Sequence, residues 1–368
     1  MQNACYISSM CFFQLRILAI LLLFSTSVLH AQDAGEDIAY GHLNIDSLRN
    51  AWHAVLADDG RARILCTWSE RSSTGTRILS AMLEPYQREA FTLVTVAGID
   101  SCEDVRPAAV FLQNGSALVA WQQGCGPGNA IRGRMLDHAG NPAGAVFAIN
   151  EGPHNAMMPA AGRMSDGSVL VAWQDYRNGA LDCYMQRFDA SGRPQGGNVM
   201  LNTDASRALQ GPPRVAADNA SRALVIWPDN RGDGLWKFYA ARTDGIQPGT
   251  NLLVDSAQRK AMTTLAAALA LPQDSALFAW KDYREGHSNI YLRRADLRTG
   301  SFAPALRIND DSTDRWQRLV VLDSDGEERV VACWEDYRNT ENNQQGDVYL
   351  QRLTRDGTPI GENEKVNT

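Results

Sequence analysis

Residues 170–192 read LVAWQDYRNGALDCYMQRFDASG, an apolar strand that ends in Trp-x-Asp-Tyr-Arg and is followed by Asp-x-Tyr-x-Gln-Arg. The phrase returns as LFAWKDYREGHSNIYLRRADLRTG from Leu277 and as VVACWEDYRNTENNQQGDVYLQRLTRDG from Val330. A residue set that recurs along one chain is first of all architecture. The strand-ending tryptophans are Trp68, Trp121, Trp173, Trp227, Trp280 and Trp334, at spacings of 53, 52, 54, 53 and 54 residues. Near-constant spacing marks a repeat protein.

Each unit parses into four short strands. Asp59-Gly60, Asn114-Gly115, Asp166-Gly167, Asn219-Ala220 and Asp325-Gly326 join the first strand to the second. Asn-Gly and Asp-Gly predict two-residue hairpin turns, whose central residues need positive φ. The second strand (ALVAW, VLVAW, ALVIW, ALFAW) is apolar on both faces and suits a strand covered on both sides. The third is the Tyr-x-Gln-Arg segment. The fourth closes on Ile149-Asn150, Leu201-Asn202, Ile308-Asn309 or Val366-Asn367. Long helical periodicity is absent. The pattern predicts an all-β six-bladed β-propeller of four-stranded antiparallel blades, over 45–101, 102–153, 154–207, 208–258, 259–312 and 313–368. The segment 32–44, which contains GHLN at 41–44, is a candidate ring-closing strand, although the last unit carries a fourth strand of its own.

Four units carry Asp and Arg at fixed offsets after Trp: Asp175 with Arg177, Asp229 with Arg231, Asp282 with Arg284, and Asp336 with Arg338. As architecture, each Asp accepts hydrogen bonds within its own turn and each Arg bridges to a neighbouring blade. As function, the eight residues form a ligand ring at a channel mouth. Repetition favours architecture. The first two units depart from the phrase with SERSSTGTR from Ser69 and QQGCGPGNA from Gln122, which makes Glu70, Arg71, Gln122, Gln123 and Asn129 candidate binding-loop residues. In a four-stranded meander, the loop holding Cys125 and the blade connection holding Cys102 lie on one face. A Cys102–Cys125 disulfide is therefore expected, with two free thiols as the alternative.

The first 31 residues have a separate meaning. Arg16 precedes ILAILLLFSTSVL, and Ala31 is a cleavage position, so 1–31 is expected to be a signal peptide of a secreted or cell-surface protein. Removing Arg16 moves the formal charge from −7 to −8, which leaves no basic footprint for nucleic acid. No second apolar stretch is long enough for a membrane span. Asp310, Asp311 and Asp314 are carboxylates of a type that suits calcium, but their spacing differs from the EF-hand loop, and an exposed acidic turn explains them equally. No other metal or cofactor is expected.

Signals of catalysis are thin: there is no HExxH, no GxSxG, and no repeated histidine. The run Trp-x-Asp-x-Arg, then Asp-x-Tyr-x-Gln-Arg-x-Asp-x-x-Gly, resembles repeats in large secreted proteins of environmental bacteria. A six-bladed ring is also similar to the sialidase superfamily, but the Ser-x-Asp-x-Gly-x-x-Trp box of that group is not matched, so no catalytic residue carries over. The expectation is a non-catalytic binding or scaffold module that recognises an extracellular glycan or protein through one face. The alternative is a carbohydrate-active hydrolase or lyase.

Overall fold

The computed structural model describes residues 51–60, 63–71, 75–83, 92–98, 102–126, 128–204, 207–217, 222–259, 266–324, 329–339 and 346–367. The expected signal peptide, the 32–44 segment and the turns at Asn219 and Asp325 lie outside them. Every regular element among the described residues is a β-strand. The first unit is β1 (Ala51–Asp58), β2 (Ile64–Arg71), β3 (Thr76–Leu83) and β4 (Val94–Ala97). The second is β5 (Glu103–Phe111), β6 (Ala117–Gly124), β7 (Asn129–Leu136) and β8 (Pro142–Ala148). The third is β9 (Ala156–Arg163), β10 (Val169–Asp175), β11 (Asp182–Phe188) and β12 (Pro194–Met200). Then come β13 (Arg214–Ala217), β14 (Ala223–Asp229), β15 (Trp236–Thr243) and β16 (Pro248–Arg259). In the next unit, β17 (Ala266–Leu271), β18 (Ser275–Asp282) and β19 (Asn289–Asp296) are followed by a fourth strand split into β20 (Ser301–Phe302) and β21 (Leu306–Arg307). The last is β22 (Gln317–Ser324), β23 (Arg329–Asp336), β24 (Asp347–Thr354) and β25 (Pro359–Lys365).

Within each unit the strands pair antiparallel in chain order, and a single parallel pair, Thr76 with Glu103, joins the first two units into one eight-stranded sheet. The apolar second strands are covered on both faces. In β10 and β14 every residue is buried, and all six repeated tryptophans are buried. Core clusters draw on neighbouring units: Val110, Leu118 and Ile131 pack with Val171, Trp173 and Tyr184, and Ile226 and Phe238 pack with Trp280 and Tyr291. Burying one such side chain contributes about 1.5–3 kcal/mol, so a lone unit would leave half its core uncovered.

Asparagines finish the job at the edges. Asn150, Asn202, Asn309 and Asn367 accept the N–H of Ile131, Cys183, Ile290 and Val348 at 2.7, 2.9, 2.8 and 2.6 Å, which extends each ladder by a side chain. Fourth strands are also pinned to the preceding unit. Asn198 Nδ2 donates to Ile149 O (3.0 Å), Asn251 Nδ2 to Leu201 O (2.9 Å) and Asn363 Nδ2 to Ile308 O (3.0 Å).

The turn chemistry differs from expectation. At 112–116 and 164–168 the hairpins close through Leu112 N–H to Ser116 O and Met164 N–H to Ser168 O, both 2.8 Å, so three residues make the turn. Only the glycines take positive φ, 83° at Gly115 and 80° at Gly167. A type I turn followed by a left-handed glycine is the next most common closure. Asn114 and Asp166 serve with their side chains, accepting the N–H of Ser116 and Ser168 at 3.0 and 2.9 Å.

Candidate functional site

Each second strand runs toward its tryptophan, so the loop after Trp and the start of the first strand share one end of the unit, here the loop end. There Asp175 is fully buried. Its Oδ2 accepts Trp173 Nε1 (3.0 Å) and an Arg177 guanidinium N–H (2.6 Å), and its Oδ1 accepts the Arg177 backbone N–H (3.0 Å). The guanidinium lies 4.1 Å from the centroid of the Tyr184 ring. The same set recurs at Trp227/Asp229/Arg231/Tyr239, Trp280/Asp282/Arg284/Tyr291 and Trp334/Asp336/Arg338/Tyr349. Arg338 reaches Asp310 of the preceding unit (2.6 Å), and Arg284 likewise reaches Asp255, whereas Arg177 turns to Asn198 of its own outer strand (3.1 Å). The glutamine of Tyr-x-Gln-Arg is also committed: Gln186 Nε2 donates to the carbonyls of Arg187, Gln195 and Gly196.

One residue of the phrase points outward instead. Tyr176 and Tyr283, between Asp and Arg, are 48% and 46% exposed. Their counterpart Tyr337 is 4% exposed, because its hydroxyl donates to Glu335 Oε1 (2.6 Å) and its ring meets Trp316 edge-on. Trp316 takes the outward place and is 44% exposed. The loop end thus carries three exposed aromatic rings from three units. In the sequence Tyr176 and Tyr283 carry no signal of their own, since each stands between the repeated Asp and Arg.

The divergent units keep the buried acid by other means. In the second unit Gln123 stands where Asp is expected, and Asp104, its register partner on β5, accepts from Trp121 Nε1 and Gln123 Nε2, both at 2.8 Å. In the fourth unit the order is reversed, with Gln210 opposite Asp229. The carboxylate has changed strands and kept its place beneath tryptophan. Asp104→Ala is expected to lower the unfolding midpoint, and adding Gln123→Asp should recover most of that loss. Thermal unfolding of the single and double variants checks this, and additive losses would contradict it.

Most candidate loop residues are spent on structure. Glu70 accepts Arg77 Nε (2.8 Å), Gln123 accepts Arg132 Nε (3.0 Å), Gln122 accepts Met158 N–H (3.3 Å), and Asn129 donates to Asn155 (2.7 Å). Arg71 is exposed. In the first unit the buried Trp68 indole N–H has no acceptor among the described residues. Cys102 and Cys125 form a disulfide, and Cys66, Cys183 and Cys333 are buried thiols. Asp310 accepts Arg338 and Asn363 N–H, and Asp311 accepts Thr313 and Gln317, so protein donors already occupy both carboxylates; Asp314 is exposed. Among the described residues no group of three or more His, Cys, Asp or Glu is placed to hold a metal.

A second repeated feature lies at the same end. His53, Arg106, Met158 and Leu319 have φ of 54°, 55°, 57° and 55°, each within a register shift of a first strand. Left-handed backbone in bulky residues stores strain, and bulges of this kind re-aim a side chain. Arg106 extends along the row of bulges: one guanidinium nitrogen meets Met158 Sδ at 2.9 Å. Arg214, on β13, donates to the Pro213 carbonyl (2.9 Å). Neither arginine forms an ion pair among the described residues, and burial lowers the pKa of both. Arg318 differs, with its Nε 3.7 Å from Glu335 Oε2. Burial raises the Glu335 pKa despite its bond from Tyr337 and the nearby Arg318.

Burial, and then Arg106, lower the His53 pKa to about 4. The unfolded chain therefore takes up this proton first as pH falls, near the ordinary value of about 6.5, so His53 destabilises the fold progressively from there down to about 4. His53→Gln should flatten the decline in unfolding midpoint over that window, which a pH series of thermal melts measures; an unchanged slope would contradict it.

The sequence matches no known family and no curated protein. Its structure is similar to a protein of unknown function from Dyadobacter fermentans, at 12% identity, covering 82% of this chain and 94% of that one, with a TM-score of 0.54. It is similar to the Hadza microbial sialidase Hz136, at 13% identity, 86% and 68% coverage and a TM-score of 0.55. It is also similar to the GH93 α-L-arabinofuranosidase of Fusarium graminearum, at 10% identity, 83% and 93% coverage and a TM-score of 0.51. At such identities the likeness shows the fold alone, a β-propeller.

Proposed function

We propose that the chain is an exported six-bladed propeller whose loop end binds a glycan bearing negative charge. One juxtaposition carries this reading: the exposed rings of Tyr176, Tyr283 and Trp316 share the loop end with Arg106 and Arg214, two guanidiniums that form no ion pair among the described residues. A flat aromatic ring covers the apolar C–H face of a sugar, while a tyrosine hydroxyl or indole N–H stays at the wet edge. A desolvated guanidinium is stabilised by a carboxylate or sulfate through paired hydrogen bonds. Closure of the ring is supported by the electrostatic influence of Asp58, in the first unit, on Asp323, in the last. Export is supported by the Cys102–Cys125 disulfide, with cleavage near Ala31–Gln32.

Binding of the mature protein to a panel of acidic and neutral polysaccharides, with product detection, tests the reading. Tyr176→Ala, Tyr283→Ala and Trp316→Ala should each weaken binding about 2- to 12-fold, which corresponds to the ~0.5–1.5 kcal/mol of an aromatic contact. Their melting points should barely move, since the rings are exposed. Unchanged affinity in all three would contradict the reading. Turnover that Glu335→Gln abolishes would replace binding with hydrolysis.

A further inference from the structure

The opposite, hairpin end of the first three units forms an open cavity of about 320 Å³. Asp59, Arg63, Gln113, Arg163, Ser165 and Gly167 line it, contributed by three successive first-to-second-strand turns. Small-molecule sites begin at about this size. Two of the three charges cancel. Arg63 donates Nε to Asp59 Oδ2 (2.7 Å), its remaining nitrogens reach the carbonyls of His138 (2.7 Å) and Gly115 (3.1 Å), and the guanidinium lies 5.3 Å from the Phe111 ring centroid. That arginine is structural.

Arg163 is not used in this way. It ends β9 opposite Val169, is half-buried, and forms no ion pair or hydrogen bond among the described residues. Ser165 and Gln113 are exposed, and their side chains likewise bond to nothing among the described residues. One guanidinium, one hydroxyl and one carboxamide thus line one cavity with a surplus positive charge. Guanidinium donors form a planar fork that matches an oxyanion.

We infer that this cavity is a second binding site, separate from the glycan-binding end, for a small molecule bearing a carboxylate or phosphate group, held by Arg163 with Ser165 and Gln113. The site stands on its own residues and does not depend on the loop-end reading. Inorganic phosphate and succinate are the probes, each titrated against the mature protein at constant ionic strength with chloride as the balancing salt. A saturable rise in the unfolding midpoint with either probe is expected, and which probe succeeds tells phosphate from carboxylate. Arg163→Gln should weaken the effect at least tenfold while keeping the ligand-free midpoint, because Arg163 makes no ion pair or hydrogen bond among the described residues. Arg106→Gln/Arg214→Gln should keep the part of the rise that Arg163→Gln removes. Equal rises in wild type and Arg163→Gln, or no rise above chloride in wild type, would overturn the assignment.

Discussion

Asp175→Ala is expected to lower the unfolding free energy by about 3–5 kcal/mol, the cost of breaking a buried ion pair from one side. The carboxylate is wholly buried and accepts three bonds, from the Trp173 indole, the Arg177 backbone and the Arg177 guanidinium. Alanine removes both acceptor oxygens and all three bonds, and leaves the guanidinium over Tyr184 with Asn198 as its remaining side-chain acceptor. Arg177→Ala should cost less, roughly 1.5–3 kcal/mol, the worth of bonds to a charged group. The indole and backbone bonds to Asp175 survive that change. Equilibrium unfolding in urea compares the two variants. A loss below about 1 kcal/mol for Asp175→Ala, the range of exposed pairs, would mean that the repeated acid is not a structural fastener.

The four-strand unit was legible because its signals are local: tryptophan at constant spacing, Asx-Gly turns, and second strands apolar on both faces. The Trp-x-Asp-x-Arg phrase could be read as structural because repetition alone argues for it. What escaped depends on register. The exchange of Asp104 and Gln123 is invisible until β5 is paired with β6. The number of residues in the hairpin turn was misjudged because Asn-Gly fits either closure, and only the pairing of Leu112 with Ser116 decides between them. His53, Arg106, Met158 and Leu319 share no side-chain chemistry, so no motif search finds them. Their spacing does follow the tryptophans: 53 residues from His53 to Arg106 and 52 from Arg106 to Met158. That periodicity was the available signal. Tyr176 and Tyr283 stand inside a phrase whose repetition argues for structure, and only their exposure separates them from the rest of it.

The second large effect concerns charge at the loop end. Arg106 meets a thioether and Arg214 a backbone carbonyl, and neither cation has a counter-charge among the described residues. A ligand carboxylate that reached either one would gain a charge-assisted bond worth about 1.5–3 kcal/mol, or roughly 10- to 150-fold in affinity. Arg214→Gln and Arg106→Gln should each cost about that factor, and each should reduce the salt dependence of binding. A neutral polymer should show neither effect.

The most direct test is a calorimetric titration of the mature protein with polygalacturonate oligomers and with the same oligomers as methyl esters. The account predicts saturable binding of the acid form, at least tenfold weaker binding of the ester, and loss of that difference in the Arg106→Gln/Arg214→Gln double variant. Equal affinity for acid and ester in the wild type, or a preference that survives in the double variant, would contradict it.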